Sequence, residues 1–472
     1  MANFQTIKIQ TDTPLVGPFQ VRPFDANTAA RVSKLLQRNH DNYHIYIHNL
    51  GLHNHILHHL LALYAVGGTA EQLDQAYSLA VNSQRPTRNP DARRVSDFAD
   101  PAEFRSCLGR GKYYDDYFAF FQSEIRENGM PSTVNKYLFK GDDRAEDMLR
   151  RFFSGFLHSP IHLGYAIEFD QPLVAAEALA LTAIHDFAFG KTLAVIENYA
   201  ERVRDSKSLI ELQQEIYANP KLRGAMKYEH GVFQVRDGLL ANASDEFLRI
   251  VSAWKVQPHE LVQKTAQALN CTVYWTALAQ RPEKQIRFDF FLMHSITAGS
   301  LWPAINSAPW ITSEAKCRLL EWKGRSDLML YCQAGAPRLY PEELAVYRPR
   351  SLSGWSDIFY RACNYGDDGH LVKMIRGIST SAALSQSFAH DPAFPIKSDH
   401  EFLTIAHMVI DSAEEFNHES ADQETRMICA KYEYSRLMSP EIQRVTARWP
   451  RHVGFGEAWF HVPERKPRLT HL

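Results

Sequence analysis

An all-α fold is what the sequence predicts, and three observations predict it. Apolar residues recur at helical spacing along most of the 472 residues. Capping residues stand where those stretches begin. Alternation of β-branched with polar residues is confined to short pieces such as "FQTIKIQT" at the start. Together these predict an extended N-terminal arm over residues 1–25, followed by one large helical domain over 26–472, in one lobe or two.

The elements follow in order. "LHNHILHHLLALYAVGG" predicts a helix that starts near Leu52 to Asn54 and stops at Gly67 and Gly68. Thr69 with Gln72 forms a capping box for the next helix, "TAEQLDQAYSLAV". Amphipathic stretches then run over 142–157, 172–204, 206–218, 258–279, 284–300, 313–333, 397–417 and 421–447. The proline-containing polar segments 82–94 and 385–398 suit surface loops. No repeat of fixed period is present, which argues against a helical-repeat solenoid.

Composition narrows the function classes. The formal net charge is -2, so nothing implies a basic face for nucleic acid or acidic lipid. No stretch resembles a signal peptide and no apolar run reaches the roughly 18 residues of a membrane span. A soluble, cytoplasmic protein is expected; the C-terminal Thr470-His471-Leu472 is only a loose relative of a peroxisomal address. The six cysteines are scattered, with no Cys-x-x-Cys pair, which argues against a zinc knuckle, an iron–sulfur cluster or a dithiol redox motif.

Histidine is the unusual residue. Seven of the 21 histidines fall between His40 and His59. From Leu57 onward the first of these helices is apolar on nearly every face, so His58 and His59 point into protein interior, whereas His40, His44, His48, His53 and His55 have polar neighbours. In "FLHSPIHLGYAIEF" the Ser159-Pro160 step places His158 before a helix and His162 inside it. His294 shares a stripe with Phe290, Phe291, Thr297, Ala298 and Leu301. His407 shares a face with Leu403 and Ile410, and Asp411 stands four residues on, in position to orient it. "DDGHLVKMIRGIS" reads as a short helix opened by Asp367 and Asp368, with His370, Lys373 and Arg376 at three-residue steps. Each placement alone suits a core residue satisfied by a carbonyl. Several such histidines on apolar helices predict a metal site assembled from different helices. Its nitrogen-rich, thiolate-free donors suit iron, zinc, copper or manganese. No Asp or Glu stands near these histidines in a His-x-Asp/Glu context, so this reading leaves the metal's charge unbalanced.

Five blocks, "HNHILHHLLALYAVGG", "HSPIHLGYAIEFDQP", "FDFFLMHSITAGSLW", "GHLVKMIRG" and "FLTIAHMVIDSAEEF", resemble the questin oxidase-like family of fungal polyketide pathways. The resemblance implies a catalytic domain over 26–472. It also implies an oxygenase that cleaves a carbon–carbon bond of an anthraquinone-type aromatic polyketide to a benzophenone-type product. Two mechanisms go with the family. One is a non-haem Fe(II) dioxygenase held by four histidines and a lysine carboxylated by CO2; carried over by motif, its ligands are His58, His162, His294, His407 and Lys373. His59 stands as an alternative to His58, His370 as a ligand or a neighbour of Lys373, and Asp411 as an outer partner. The other is an NADPH-dependent Baeyer–Villiger oxidase. "GRGKYY" and "GFGEAW" lack the third glycine and preceding strand of a dinucleotide fingerprint, so the iron reading is preferred. The implied partners are the polyketide and O2. Two further readings stand behind these: a helical metal phosphohydrolase, on the strength of His185-Asp186, and a non-enzymatic helical scaffold.

Overall fold

Asp25 opens the first helix, α1 (Ala26–Asn42), by accepting a hydrogen bond from the Thr28 amide. The computed structural model describes residues 6–12, 23–47, 52–416 and 448–465; His48 and the helix expected at 421–447 lie outside these. The described part of the arm lies against α1, where Gln37 and Ser33 accept from the amides of Ile7 and Ile9.

The next helix, α2 (Ile56–Ala65), starts later than its apolar pattern suggests, because the Asn54 side chain accepts from the Ile56 amide and His55 becomes the residue before the helix. Every residue of α2 is buried. The capping box of Thr69 and Gln72 forms as expected and starts the helix Ala70–Val81. After α3 (Tyr114–Asn128) comes α4 (Ser154–Glu168), which is broken near its start by left-handed residues at Gly155, Phe156 and Leu157. Regular helix resumes at His158, with Pro160 in its first turn, where a missing N–H costs nothing.

The stretch 172–204 is two helices rather than one. The first, α5 (Pro172–Ile184), ends at His185 with extended backbone, and the chain turns by 85° into Ala188–Ala200. Next come α6 (Leu261–Leu278) and α7 (Phe290–Gly299). The latter starts six residues later than its pattern, because the Asp289 carboxylate caps the amides of Phe291 and Leu292. Among the described residues the last long helices are α8 (Ser313–Gln333), α9 (His370–Ser385) and α10 (Asp399–Phe416).

Among the described residues only isolated β-bridges interrupt this all-α architecture. One contiguous apolar core extends from Ile7 to Val462. No single helix there is long and apolar enough to cross a membrane. Inside the core α2, α4, α7 and α9 pack in a closed circuit, each against the next. That circuit positions the site.

Candidate metal centre

Each of the four circuit helices contributes one imidazole to a closed ring of aromatic contacts: His55 at the start of α2, His158 on α4, His294 on α7 and His370 on α9. Ring centroids lie 5.1 Å apart for His55–His158, 5.3 Å for His158–His294, 5.3 Å for His294–His370 and 4.7 Å for His370–His55. The helices differ, so only the tertiary fold could assemble this group.

All four rings are anchored through Nδ1. His158 donates to the Gly155 carbonyl at 2.6 Å, and His294 to the Phe290 carbonyl at 2.6 Å. Asp368 holds two rings at once, with Oδ1 2.6 Å from His370 Nδ1 and Oδ2 3.2 Å from His55 Nδ1. An imidazole whose Nδ1 is a donor keeps a bare Nε2, the usual arrangement of a metal-binding histidine oriented from outside. The Nε2 atoms of His294 and His370 are buried with no hydrogen-bond partner among the described residues. Those of His55 and His158 lie 2.8 Å apart. One ligand atom from each of His55, Asp368 and His370 lies within 4.8 Å of the other two. Imidazole nitrogens and a carboxylate without thiolate fit a first-row transition metal.

Lys373 stands one turn after His370 and is buried. Burial brings its amine down from 10.5 to about 8, with Asp368 and Asp367 pulling the other way. Burial also keeps the neighbouring rings neutral, His55 at about 3 and His158 and His294 well below their ordinary value. Neutral imidazole is the form that binds a metal.

The helix start beneath this group follows from local sequence. Gly369 is left-handed, and a Cβ there would lie 2.6 Å from the Cβ of His59, so only glycine fits. His59 thus backs the start of α9. Asp367 accepts from the amides of Gly369 and Leu371 and pairs with Arg448, which leaves Asp368 free to serve the histidines.

The site residues expected from sequence are distributed as follows. His294, Lys373 and His370 are in the group. His58 and His162 are beside it as a pair of their own, with His58 Nε2 3.1 Å from His162 Nδ1. The other nitrogen of His162 lies 2.8 Å from Glu177, which also meets His40 at 2.7 Å. His407 is elsewhere: its Nε2 donates to the Ser353 carbonyl at 2.9 Å, and no ring contact joins it to the quartet among the described residues. Asp411 does not orient it. That carboxylate accepts from Tyr347, the Arg350 amide and Arg361, because those groups project at it from neighbouring segments. The His185-Asp186 pair diverges: His185 lies 2.8 Å from His53, while exposed Asp186 caps Ala188.

Four members were missed. His55 has polar neighbours and His158 stands just before the Ser159-Pro160 step, so neither lies on an apolar helical face in the sequence. Asp368 had a visible signal, a carboxylate two residues before a histidine. So had Glu177, the one charged residue in the apolar run "PLVAAEALALTAI".

The scaffold and the site together define an all-α protein built round a buried histidine centre. The chain belongs to the questin oxidase-like family, whose model matches residues 52–378. That range contains the quartet and Lys373 and leaves out His407. Similar proteins include the oxidoreductase AflY of Aspergillus parasiticus, 37% identical over 96% of this chain and 92% of its own length. Others are the questin oxidase of Aspergillus fumigatus (34%, over 88% and 94%) and the Baeyer–Villiger oxidase ptaJ of Pestalotiopsis fici (34%, over 87% and 94%). The chain is an oxidoreductase.

Proposed function

We propose that this chain is a non-haem iron oxygenase that opens a ring of an anthraquinone-type aromatic polyketide, consuming O2 and giving a benzophenone-type product. The observation that carries the reading is the quartet: four neutral imidazoles from four helices, three of them buried and His55 half-buried, each tied through Nδ1 and presenting Nε2. His55, His158, His294 and His370 would hold the iron, with Lys373 beside them. Bound there, Fe(II) would supply the activation of O2 that an organic side chain cannot.

The protein's own groups have separate tasks. Asp368 fixes the orientation of two ligands with one carboxylate. Lys373, part of its population neutral near pH 8, can take up CO2 at Nζ. The carbamate formed is an anionic oxygen donor, which balances a site otherwise made of neutral nitrogens. Phe156 and Phe290 border His294, with centroids 5.9 and 4.6 Å from its ring, and supply apolar faces suited to a flat aromatic substrate.

The test is elemental analysis of anaerobically purified protein followed by oxygen uptake with hydroxyanthraquinones. About one iron per chain, uptake of O2 without NADPH, and loss of both metal and turnover in Lys373→Ala are expected. A second reading is favoured by relatives named Baeyer–Villiger oxidases. NADPH consumed in step with product, by protein without iron, would establish that reading instead.

A further inference from the structure

A second hydrogen-bonded chain of buried groups leads away from the quartet. It runs from His58 to His162 at 3.1 Å, to Glu177 at 2.8 Å, to His40 at 2.7 Å and to Gln122 at 3.2 Å. Except for half-buried Gln122, every member is buried, and three different helices supply His162, Glu177 and His40.

The donors and acceptors along this chain admit one arrangement with a single proton on each ring. The Gln122 amide N–H donates to His40 Nε2, which must therefore be bare, so His40 carries its proton on Nδ1 and donates to Glu177. The carboxylate also accepts from His162 Nε2–H. That leaves His162 Nδ1 bare, and it can only accept from His58 Nε2–H. His58 Nδ1 is consequently bare. It is buried, without a hydrogen-bond partner among the described residues, on a ring whose centroid lies 6.1 Å from that of His55 and 6.0 Å from that of His158.

We infer that Glu177 is a positioning residue: by fixing the tautomer of His162, and through it that of His58, it keeps His58 Nδ1 as a lone-pair donor at the edge of the quartet and strengthens the centre's hold on a divalent metal. This rests on the metal reading above. A carboxylate behind a ligand histidine is a common device; here it acts through two imidazoles in series.

The test uses the full-length chain titrated with Co(II), whose visible spectrum reports the ligand field. Glu177→Gln puts an N–H donor where two imidazoles need an acceptor and forces one tautomer to reverse. Its Co(II) affinity should drop about 10- to 100-fold, with an altered spectrum. Neutron diffraction or histidine nitrogen NMR on the wild-type chain needs no variant, and should find the proton of His58 on Nε2. Unchanged affinity and spectrum in Glu177→Gln, or a proton on His58 Nδ1, would overturn the inference. A wild-type chain that takes up no Co(II) or Fe(II) would overturn the metal reading first, and this one with it.

Discussion

His370 and His407 are both buried histidines on apolar helices, yet their surroundings assign them opposite roles. His370 has an outer carboxylate on Nδ1 and an unpartnered Nε2, whereas His407 uses Nε2 to donate to the Ser353 carbonyl. His370→Asn should therefore lower iron affinity at least about tenfold, as removal of a ligand does. His407→Asn should keep its full metal content and lose only packing. Elemental analysis of the two purified variants decides the matter, and the reverse result would mean that α10 contributes to the centre. His294 was legible because it sits squarely on a buried helical stripe, whereas Lys373 entered only through the family resemblance. His58 and His162, rather than His55 and His158, came from the same resemblance and from their apolar helical neighbours. What would make a ligand here is the acceptor behind Nδ1, and two of those acceptors are backbone carbonyls that no side-chain pattern reveals.

The break in α4 shows the same limit one level up. Most helices were legible, since periodicity is a local signal, and so was the Thr69 cap; the caps Asp25 and Asp289 were not, and α7 therefore starts later than its pattern. The left-handed run of Gly155, Phe156 and Leu157 was not, because two of its three residues are bulky side chains that avoid this region. Tertiary contacts hold them there, and the Gly155 carbonyl is thereby turned to receive His158. A Cβ on residue 155 would lie 2.5 Å from His185 Nε2, an atom already committed to His53. Gly155→Ala should cost about 1–3 kcal/mol in urea denaturation. In a His185→Ala background the collision disappears and only the backbone penalty of about 1 kcal/mol should remain. Equal costs in both backgrounds would show that the contact with His185 does not constrain this turn.

At the scale of the whole molecule, placing so many neutral imidazoles in one core makes stability depend on pH. In the folded chain burial holds His55 and His44 at about 3 and His185 at about 4, against 6.5 for an ordinary histidine. The unfolded chain therefore binds more protons than the folded one once the pH falls below about 6.5, and by linkage stability declines from there. Their contribution is fully present above that value and is progressively lost towards pH 4 as the unfolded state gains protons. Glu177 acts in the same direction. Burial would raise its carboxyl, but His162 and His40 hold it at about 2, so its contribution begins to disappear below its ordinary 4.5. Metal-free protein should show a Tm that is flat above neutrality and falls by at least about 5 °C between about pH 7 and pH 5. Iron-loaded protein should be more stable at pH 7 and fall more steeply, because protons compete with the metal for the same nitrogens. A Tm indifferent to pH over this range would mean that the imidazoles are hydrated or charged in the native chain, and a centre built on their neutrality would be wrong.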